Sequence, residues 1–276
     1  MPITPADLLR MKQKGERIPM VTAYDYSAAR IAARAGIPLL LVGDSLGMVM
    51  HGHGTTLPVT LDDMVRHAAA VTRGSGDAMV VGDLPFLTYA NEADAVTASR
   101  RMLAEGSVHC VKLEGGAAIA PIVRRLTELG VPVMGHLGFT PQSQHQIGLR
   151  VQAKQAAAAK QLLEDALLLE ASGVCAIVLE LVPAALAKAV SERLAVPTIG
   201  IGAGAGCDGQ VQVWHDLLGL TEGKVPRHAG RYAELGEVIA AALGRYAEDV
   251  RAGVFPKPEQ DAAIDPQELQ RALGEG

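Results

Sequence analysis

The sequence is poor in aromatic residues and in cysteine. Aromatic residues make up 3% of the 276 positions, and the three cysteines are Cys110, Cys175 and Cys207. An odd number of cysteines without CxxC or CxxH spacing excludes a disulfide scaffold and gives no support to a zinc ribbon. Because the first two lie inside apolar runs, we expect reduced and mostly buried thiols.

The sequence also lacks long apolar runs and dense basic runs. No stretch approaches the roughly 18 consecutive apolar residues of a membrane span, and residues 1–7 lack the basic and apolar regions of a signal peptide. The formal net charge is -5, which disfavours nucleic acid or an anionic membrane as the main partner. We therefore expect a cytoplasmic protein whose partners are small molecules.

Aliphatic residues dominate what is present, and they fall into an alternating pattern. Short runs rich in β-branched residues are each followed by a longer Ala-rich or amphipathic stretch, which is typical of parallel βα units. The predicted strands are 18–23, 39–43, 78–82, 108–113, 131–135, 175–181, 197–201 and 210–217. The predicted helices are 27–35, 61–72, 92–105, 119–129, 156–171, 184–194 and 235–250. Several helices are followed by a glycine expected to adopt a left-handed C-cap, namely Gly36, Gly106, Gly130 and Gly173.

Eight such units fit either a doubly wound open sheet or a closed barrel. Polar residues recur at the carboxyl ends of nearly all the predicted strands, and a barrel would gather them into one site, so we predict an α/β fold of the (β/α)₈ TIM type. Thr4 as N-cap and Pro5 at the first position indicate an opening helix that closes the bottom of the barrel.

Barrels of about 250 residues commonly form one domain, so we predict a single domain over residues 1–276. Residues 253–276 are predicted to be a C-terminal tail that either contacts another subunit or is partly disordered. Within it, Asp265 followed by Pro266 indicates the start of a short helix.

Three acids follow or end neighbouring strands: Asp44, Asp83 and Glu114. Lys112 and Glu114 are two positions apart and therefore point to the same face of their strand. Carboxylates brought this close repel one another, and a hard cation among them relieves the repulsion. Oxygen ligands without clustered Cys and His favour Mg²⁺ over zinc, although each acid taken singly is also compatible with a turn or helix cap.

Two further residues on the same rim have the chemistry of proton transfer. Glu180 lies in an otherwise apolar strand, where an ionised carboxylate must be paired or functional, and we interpret it as a general base. The structural alternative is an ion pair between Glu180 and Lys112. His136 follows the fifth strand, and its predicted role is substrate positioning or proton handling.

Two other motifs give weaker signals. The glycine-rich segment 200–209 is similar to a phosphate-binding loop, but it lacks the Walker lysine and the dinucleotide fingerprint, so its glycines equally allow close backbone approach. His51 and His53, separated by one glycine, are interpreted as loop residues and not as the main metal site.

Taken together, these segments resemble the ketopantoate hydroxymethyltransferase family over residues 18–217. The resemblance rests on 21–25 (VTAYD), 42–47 (VGDSLG), 56–60 (TLPVT), 83–86 (DLPF), 111–116 (VKLEGG), 135–143 (GHLGFTPQS) and 200–204 (GIGAG). It implies a (β/α)₈ barrel that assembles as a homodecamer, Mg²⁺ as cofactor, and 5,10-methylenetetrahydrofolate as donor of a hydroxymethyl group to 3-methyl-2-oxobutanoate, giving 2-dehydropantoate for pantothenate biosynthesis.

The resemblance also implies roles for single residues. Asp44, Asp83 and Glu114 would bind the metal, and Glu180 would abstract the proton. The 2-oxo acid would be bound by the set Asp44, Ser45, Asp83, Lys112 and His136. Two rival interpretations stay open, a Mg²⁺-dependent carbon-carbon lyase of the phosphoenolpyruvate and isocitrate lyase type, and a barrel that binds metabolites without catalysis.

Overall fold

The computed structural model describes residues 2–223 and 225–274. Eight parallel strands pair in chain order, and β8 returns to pair with β1, so the sheet is a closed barrel. The strands are β1 Ile18–Thr22, β2 Leu39–Val42, β3 Met79–Asp83, β4 Cys110–Glu114, β5 Val133–Gly138, β6 Ala176–Glu180, β7 Thr198–Ile201 and β8 Gly209–Gln212. The predicted TIM-type barrel is confirmed.

The helices follow the strands on the outside of the barrel. They are α1 Pro5–Gln13, α2 Tyr26–Arg34, α3 Leu46–Val49, α4 Leu61–Gly74, α5 Glu92–Ala104, α6 Ala120–Glu128, α7 Gln144–Ile147, α8 Ala156–Ala171, α9 Ala184–Arg193, α10 Trp214–Leu217, α11 Leu235–Arg251 and α12 Pro266–Leu273. Among the described residues, no helix is long and apolar enough to cross a membrane.

The apolar core has two layers, and the alternation of side chains along each strand separates them. Leu39 and Leu41 belong to a cluster inside the barrel, whereas Leu40 and Val42 belong to the cluster between strands and helices. All four residues of β2 are buried, as expected of a parallel strand that is covered on both faces. The continuous apolar runs of the sequence therefore mark strands and not buried helices.

Helix α1 closes the amino-terminal end of the barrel. Thr4 and Asp7 form a capping box, and Pro5 occupies the first helical position. Leu8 is fully buried in the cluster inside the barrel. The ammonium of Lys12 donates to the carbonyl of Val196 at 2.9 Å, just before β7, and pairs with Asp208 Oδ2 at 3.0 Å, just before β8. The predicted bottom-closing helix is confirmed.

Two local expectations were wrong. The predicted strand 210–217 ends at Gln212, because β1 offers no pairing beyond Val21 opposite Gln212. The Thr22 hydroxyl instead accepts the N–H of Trp214 at 2.9 Å, and the chain turns into α10.

The second error concerns the glycine after α5. Gly36, Gly130 and Gly173 have positive φ as predicted, but after α5 it is Ser107 that adopts φ 56° and not Gly106. Gly106 is required for a different reason, since a Cβ there would lie 2.7 Å from the Met102 carbonyl oxygen.

The connection from β7 to β8 contains no helix. Residues 202–208 run down the outside of the barrel in its place. A Cβ on Gly204 would collide with Ala184, and one on Gly206 with Lys188, two residues one turn apart on α9. These glycines are therefore accounted for by close packing of the chain against α9, without a bound phosphate.

The three cysteines carry free thiols, as predicted. Cys110 and Cys207 are buried and Cys175 is partly buried. The Sγ atoms of Cys110 and Cys175 lie 3.7 Å apart, and burial raises the pKa of the Cys110 thiol.

Helix α12 begins at Pro266 with Asp265 as its cap, which confirms the helix predicted within the tail.

Gly138 ends β5 at φ 95°, and a Cβ there would collide with the carbonyl of Glu180 and with Val182. Gly130 has a similar φ of 82° with nothing near its Cβ position, so it provides a matched control. We predict that Gly130→Ala costs about 1 to 2 kcal/mol of unfolding free energy, from backbone conformation alone. Gly138→Ala should cost about 1 to 3 kcal/mol more, from overpacking. Denaturant unfolding measures both, and equal losses would contradict this account.

Candidate active site

The barrel brings the predicted polar residues together at the carboxyl ends of its strands. Asp83 and Lys112 lie side by side on β3 and β4, Glu114 and His136 on β4 and β5, and Glu180 ends β6. Asp44 follows β2 by two residues. The buried members of this group are Asp44, Asp83, Lys112, Glu114 and His136. A cluster of charged groups at this depth is costly unless its members compensate one another.

Lys112 provides part of that compensation. Its Nζ lies 3.0 Å from Asp83 Oδ1 and 3.6 Å from Glu114 Oε1. Burial opposes the charge on Lys112, but the neighbouring carboxylates outweigh burial and raise the pKa of the ammonium. The site therefore contains a permanent positive charge beside two of its acids.

The two aspartates are not fully compensated. Burial, followed by the charges of Asp83 and Glu114, raises the pKa of Asp44 well above its usual value. Burial also raises the pKa of Asp83, although Lys112 works in the opposite direction. Both carboxylates are therefore costly to ionise at this depth, and a bound cation would stabilise their charged forms.

His136 links two carboxylates. Its Nδ1 lies 3.1 Å from Glu114 Oε1, and its Nε2 lies 3.3 Å from Glu180 Oε2. Burial and the Lys112 charge disfavour the imidazolium, but the two carboxylates outweigh them and raise the pKa of His136 to about 9. The two carboxylates therefore favour the imidazolium, although Lys112 Nζ also lies 3.2 Å from Nδ1 of the ring.

Glu180 has a different environment from the other acids. Its side chain is 17% exposed, and its charged neighbour is His136. Within the described part of the chain, the ion pairs of Lys112 go to Asp83 and Glu114. The alternative of a structural pair between Glu180 and Lys112 was therefore wrong.

The backbone holds Glu180 firmly between neighbouring strands. Its carbonyl accepts the N–H of Phe139 at 2.8 Å. The next residue, Leu181, adopts the left-handed region at φ 47°. Its N–H donates to Ile201 at 2.9 Å, and its carbonyl accepts from Gln152 at 2.8 Å. Left-handed backbone at a non-glycine residue persists only where surrounding contacts enforce it, and here those contacts fix the end of β6.

Ser45 lies next to Asp44 in the turn after β2. The hydroxyls of Ser45 and Tyr24 are 2.9 Å apart. Tyr24 is buried, and burial raises the pKa of its phenol. The neutral phenol is therefore available as a hydrogen-bond partner that orients Ser45 toward the cluster.

The donor set fits Mg²⁺ in its chemistry. The N–H of Asp44 donates to Asp83 Oδ2 at 3.1 Å, so the two carboxyl groups are adjacent. Asp83 Oδ1 is buried without a hydrogen bond and faces only the Lys112 charge. Magnesium is commonly held by one or two carboxylates together with water and substrate oxygens. Asp44 and Asp83 supply that minimum.

Glu114 contributes to the cluster in another way. Its Oε1 faces His136 at 3.1 Å, and its Oε2 accepts the backbone N–H of Gln142 at 3.0 Å. Across residues 2–223 and 225–274, no three side chains of His, Cys, Asp or Glu are arranged as a metal-binding group. With both oxygens engaged, Glu114 does not converge with the two aspartates on one point.

Three residues that connect these groups were not predicted from the sequence, namely Tyr24, Tyr89 and Gln142. Tyr89 donates to Gln142 Oε1 at 2.6 Å, and Gln142 Nε2 donates to Asp44 Oδ2 at 2.9 Å. Gln142 lies inside the segment 135–143, but no spacing rule distinguishes a buried connecting amide from an exposed loop residue.

His51 and His53 are exposed and lie in the loop after β2, as interpreted.

Comparison with known proteins gives consistent matches over nearly the full chain. The family model described as ketopantoate hydroxymethyltransferase matches residues 2–258. A protein of Gluconacetobacter diazotrophicus named 3-methyl-2-oxobutanoate hydroxymethyltransferase is 64% identical, with 99% of each chain covered. One of Chloroflexus aggregans with the same name is 62% identical, with 99% of this chain and 98% of the relative covered.

Solved structures share the fold at low sequence identity. A 2,3-dimethylmalate lyase of the PEP mutase/isocitrate lyase superfamily has a TM-score of 0.58 and 19% identity, covering 99% of this chain and 96% of the other. Phosphonopyruvate hydrolase in complex with oxalate and Mg²⁺ has a TM-score of 0.61 and 13% identity, with the same coverage. From the matching family model and the close relatives, the chain belongs to the ketopantoate hydroxymethyltransferase family.

Proposed function

We propose that this enzyme transfers a hydroxymethyl group from 5,10-methylenetetrahydrofolate to 3-methyl-2-oxobutanoate, giving 2-dehydropantoate. The proposal is supported by the names of the close relatives. It is carried by one observation, the buried pair Asp44 and Asp83 beside Lys112, with Glu180 on the neighbouring side of the same rim. That arrangement combines an anion-binding charge, a cation site and a base, which together suit deprotonation next to a carbonyl group.

Binding of the 2-oxo acid is assigned to residues on β2 to β5. The ammonium of Lys112 and the hydroxyl of Ser45 would bind its carboxylate and keto oxygens, and His136 would lie beside it. Asp44 and Asp83 would hold Mg²⁺ directly. Glu114, whose oxygens are engaged by His136 and Gln142, would complete the metal site through water. Bound there, the ion supplies electrophilic stabilisation of negative charge on the keto oxygen.

Glu180 is assigned the role of general base. It would remove the proton from C3 of the substrate to give the carbon nucleophile. Water would break both C–N bonds of the donor's methylene bridge, which releases tetrahydrofolate and leaves the one-carbon unit at the oxidation level of formaldehyde. The nucleophile would attack that carbon, and the oxygen derived from water would take up a proton to become the hydroxyl of the new group. The His136 imidazolium, 3.3 Å from Glu180 Oε2, would hold the carboxylate in place.

We also propose a homo-oligomeric assembly, with a homodecamer as its form and the cytoplasm as its location. Helix α11 follows β8, where a (β/α)₈ barrel places its eighth helix, yet none of its residues is buried. Val238, Leu243 and Tyr246 are all more than half exposed. The exposed apolar side chains of this 17-residue helix support burial against another copy of the chain.

The lyase interpretation retains one observation in its favour, the fold shared with 2,3-dimethylmalate lyase. Low identity limits that likeness to the fold. A lyase would turn over without the folate donor, and a barrel without catalysis would not exchange the C3 proton of the substrate. Dependence on the donor and proton exchange therefore separate the three interpretations.

Replacing the base tests the proposed chemistry. We predict that Glu180→Gln lowers kcat by about 10² to 10⁴, the usual contribution of a general base. Affinity for Mg²⁺ and for the 2-oxo acid should change little, because the amide keeps the shape of the side chain. Steady-state kinetics and calorimetric titration measure these quantities. Glu164→Gln, on the exposed face of α8, is the control, and unchanged turnover in Glu180→Gln would remove Glu180 from the mechanism.

Replacing one aspartate tests the cation site. We predict that Asp83→Asn weakens Mn²⁺ binding at least about 100-fold, since changes outside the direct ligands already cost 10- to 100-fold. Electron paramagnetic resonance of free Mn²⁺ measures this affinity without relying on turnover. Asp261→Asn, on the exposed chain before α12, should bind Mn²⁺ like the wild type. Equal affinity in Asp83→Asn would exclude Asp83 as a ligand.

A further inference from the structure

We infer that Gln142 is a positioning residue of the proposed metal site. Its backbone N–H and its side-chain amide, both uncharged donors, orient the carboxylates of Glu114 and Asp44 through hydrogen bonds. This inference rests on the proposed cation site. Gln142 lies in the 3₁₀ turn Pro141–Ser143 after β5, and its side chain is buried. Both ends of its side-chain amide are engaged by protein groups, so we derive its role from those contacts.

Those contacts join three strand ends. The backbone N–H of Gln142 donates to Glu114 Oε2 at 3.0 Å. Its side-chain Nε2 donates to Asp44 Oδ2 and to the carbonyl of Leu84, each at 2.9 Å. Its Oε1 accepts the hydroxyl of Tyr89 at 2.6 Å. One residue thus contacts the loop after β2, the loop after β3 and the end of β4.

The direction of each hydrogen bond is determined by the partners. A backbone carbonyl only accepts, so Leu84 fixes which end of the Gln142 amide carries the hydrogens. The second hydrogen of the same group must then go to Asp44. Tyr89 must donate to Oε1, which leaves the phenolic oxygen as an acceptor near the N–H of Glu114 at 3.4 Å. Burial raises the pKa of Tyr89, so its donor hydrogen is retained.

The consequence for the acids is a defined orientation. The side-chain Nε2 of Gln142 donates to Oδ2 of Asp44, and the backbone N–H of Asp44 in turn donates to Oδ2 of Asp83. Hydrogen bonds are therefore directed to one oxygen of each aspartate. The remaining Oδ1 of Asp83 is buried and faces the Lys112 ammonium at 3.0 Å. Carboxylate ligands are commonly oriented in this way by partners outside the metal's own coordination sphere.

A neutral amide suits this position better than a cation would. Lys112 already neutralises part of the negative charge through Asp83 and Glu114. A positively charged side chain in place of Gln142 would neutralise Asp44 and so replace the metal electrostatically. A neutral amide orients Asp44 and leaves its charge available to the metal.

The test measures Mn²⁺ affinity without substrate, by electron paramagnetic resonance, in the wild type and in Gln142→Leu and Tyr89→Phe. We expect Gln142→Leu to weaken binding by about 10- to 100-fold. Tyr89→Phe should weaken it less, by about 3- to 10-fold, because one neutral hydrogen bond is lost while Leu84 still orients the amide. Gln161→Leu, on the exposed surface of α8, is the control. A purely structural role would lower the thermal midpoint of unfolding and leave the Mn²⁺ affinity at 25 °C unchanged.

The outcomes separate this inference from the function on which it rests. If the wild type binds Mn²⁺, Asp83→Asn does not, and folded Gln142→Leu binds like the wild type, the inference is overturned while the cation site stands. If Gln142→Leu does not fold, Tyr89→Phe decides, and affinity within twofold of the wild type overturns the inference. If the wild type itself binds no Mn²⁺, both the cation site and the inference fail.

Discussion

A surplus of buried negative charge at the carboxyl end of the barrel is the constraint around which this structure is arranged. Lys112 compensates part of the charge of Asp44, Asp83 and Glu114, and His136 faces Glu114, yet burial and the neighbouring carboxylates still raise the pKa of both aspartates. The cost of this surplus is tolerable only if a cation binds there or the acids take up protons. This imbalance is the physical argument for the proposed metal site.

The closed parallel sheet tolerates such an imbalance because its amino-terminal end contributes stability and its carboxyl end carries the charged residues. At the amino-terminal end, α1 buries Leu8, and Lys12 hydrogen-bonds the chain before β7, so that end contributes stability. At the carboxyl end, strand register places charged residues side by side, as with Glu114 beside His136. Backbone pairing supplies the rigidity that keeps these groups close together despite their repulsion.

The sequence predicted the features that depend on local pattern, and it failed where tertiary contacts decide. Eight strands, their order and the acids at their ends could be predicted, because apolar runs and strand-end positions repeat along the chain. The end of β8 could not, because it depends on where β1 stops offering partners. The contact between His136 and Glu180 and the hydrogen bonds of Gln142 could not be predicted either, since both depend on side-chain geometry across different loops.

The most direct test of the central claim is mass spectrometry of 3-methyl-2-oxobutanoate incubated with the protein, methylenetetrahydrofolate and Mg²⁺, with and without EDTA. The account predicts that the substrate gains one hydroxymethyl group, that omission of the folate abolishes the gain, and that EDTA suppresses it. Absence of product from folded, metal-loaded protein would contradict the proposed transfer. Full product formation in EDTA would contradict the view that the surplus charge of Asp44 and Asp83 exists to hold a catalytic cation.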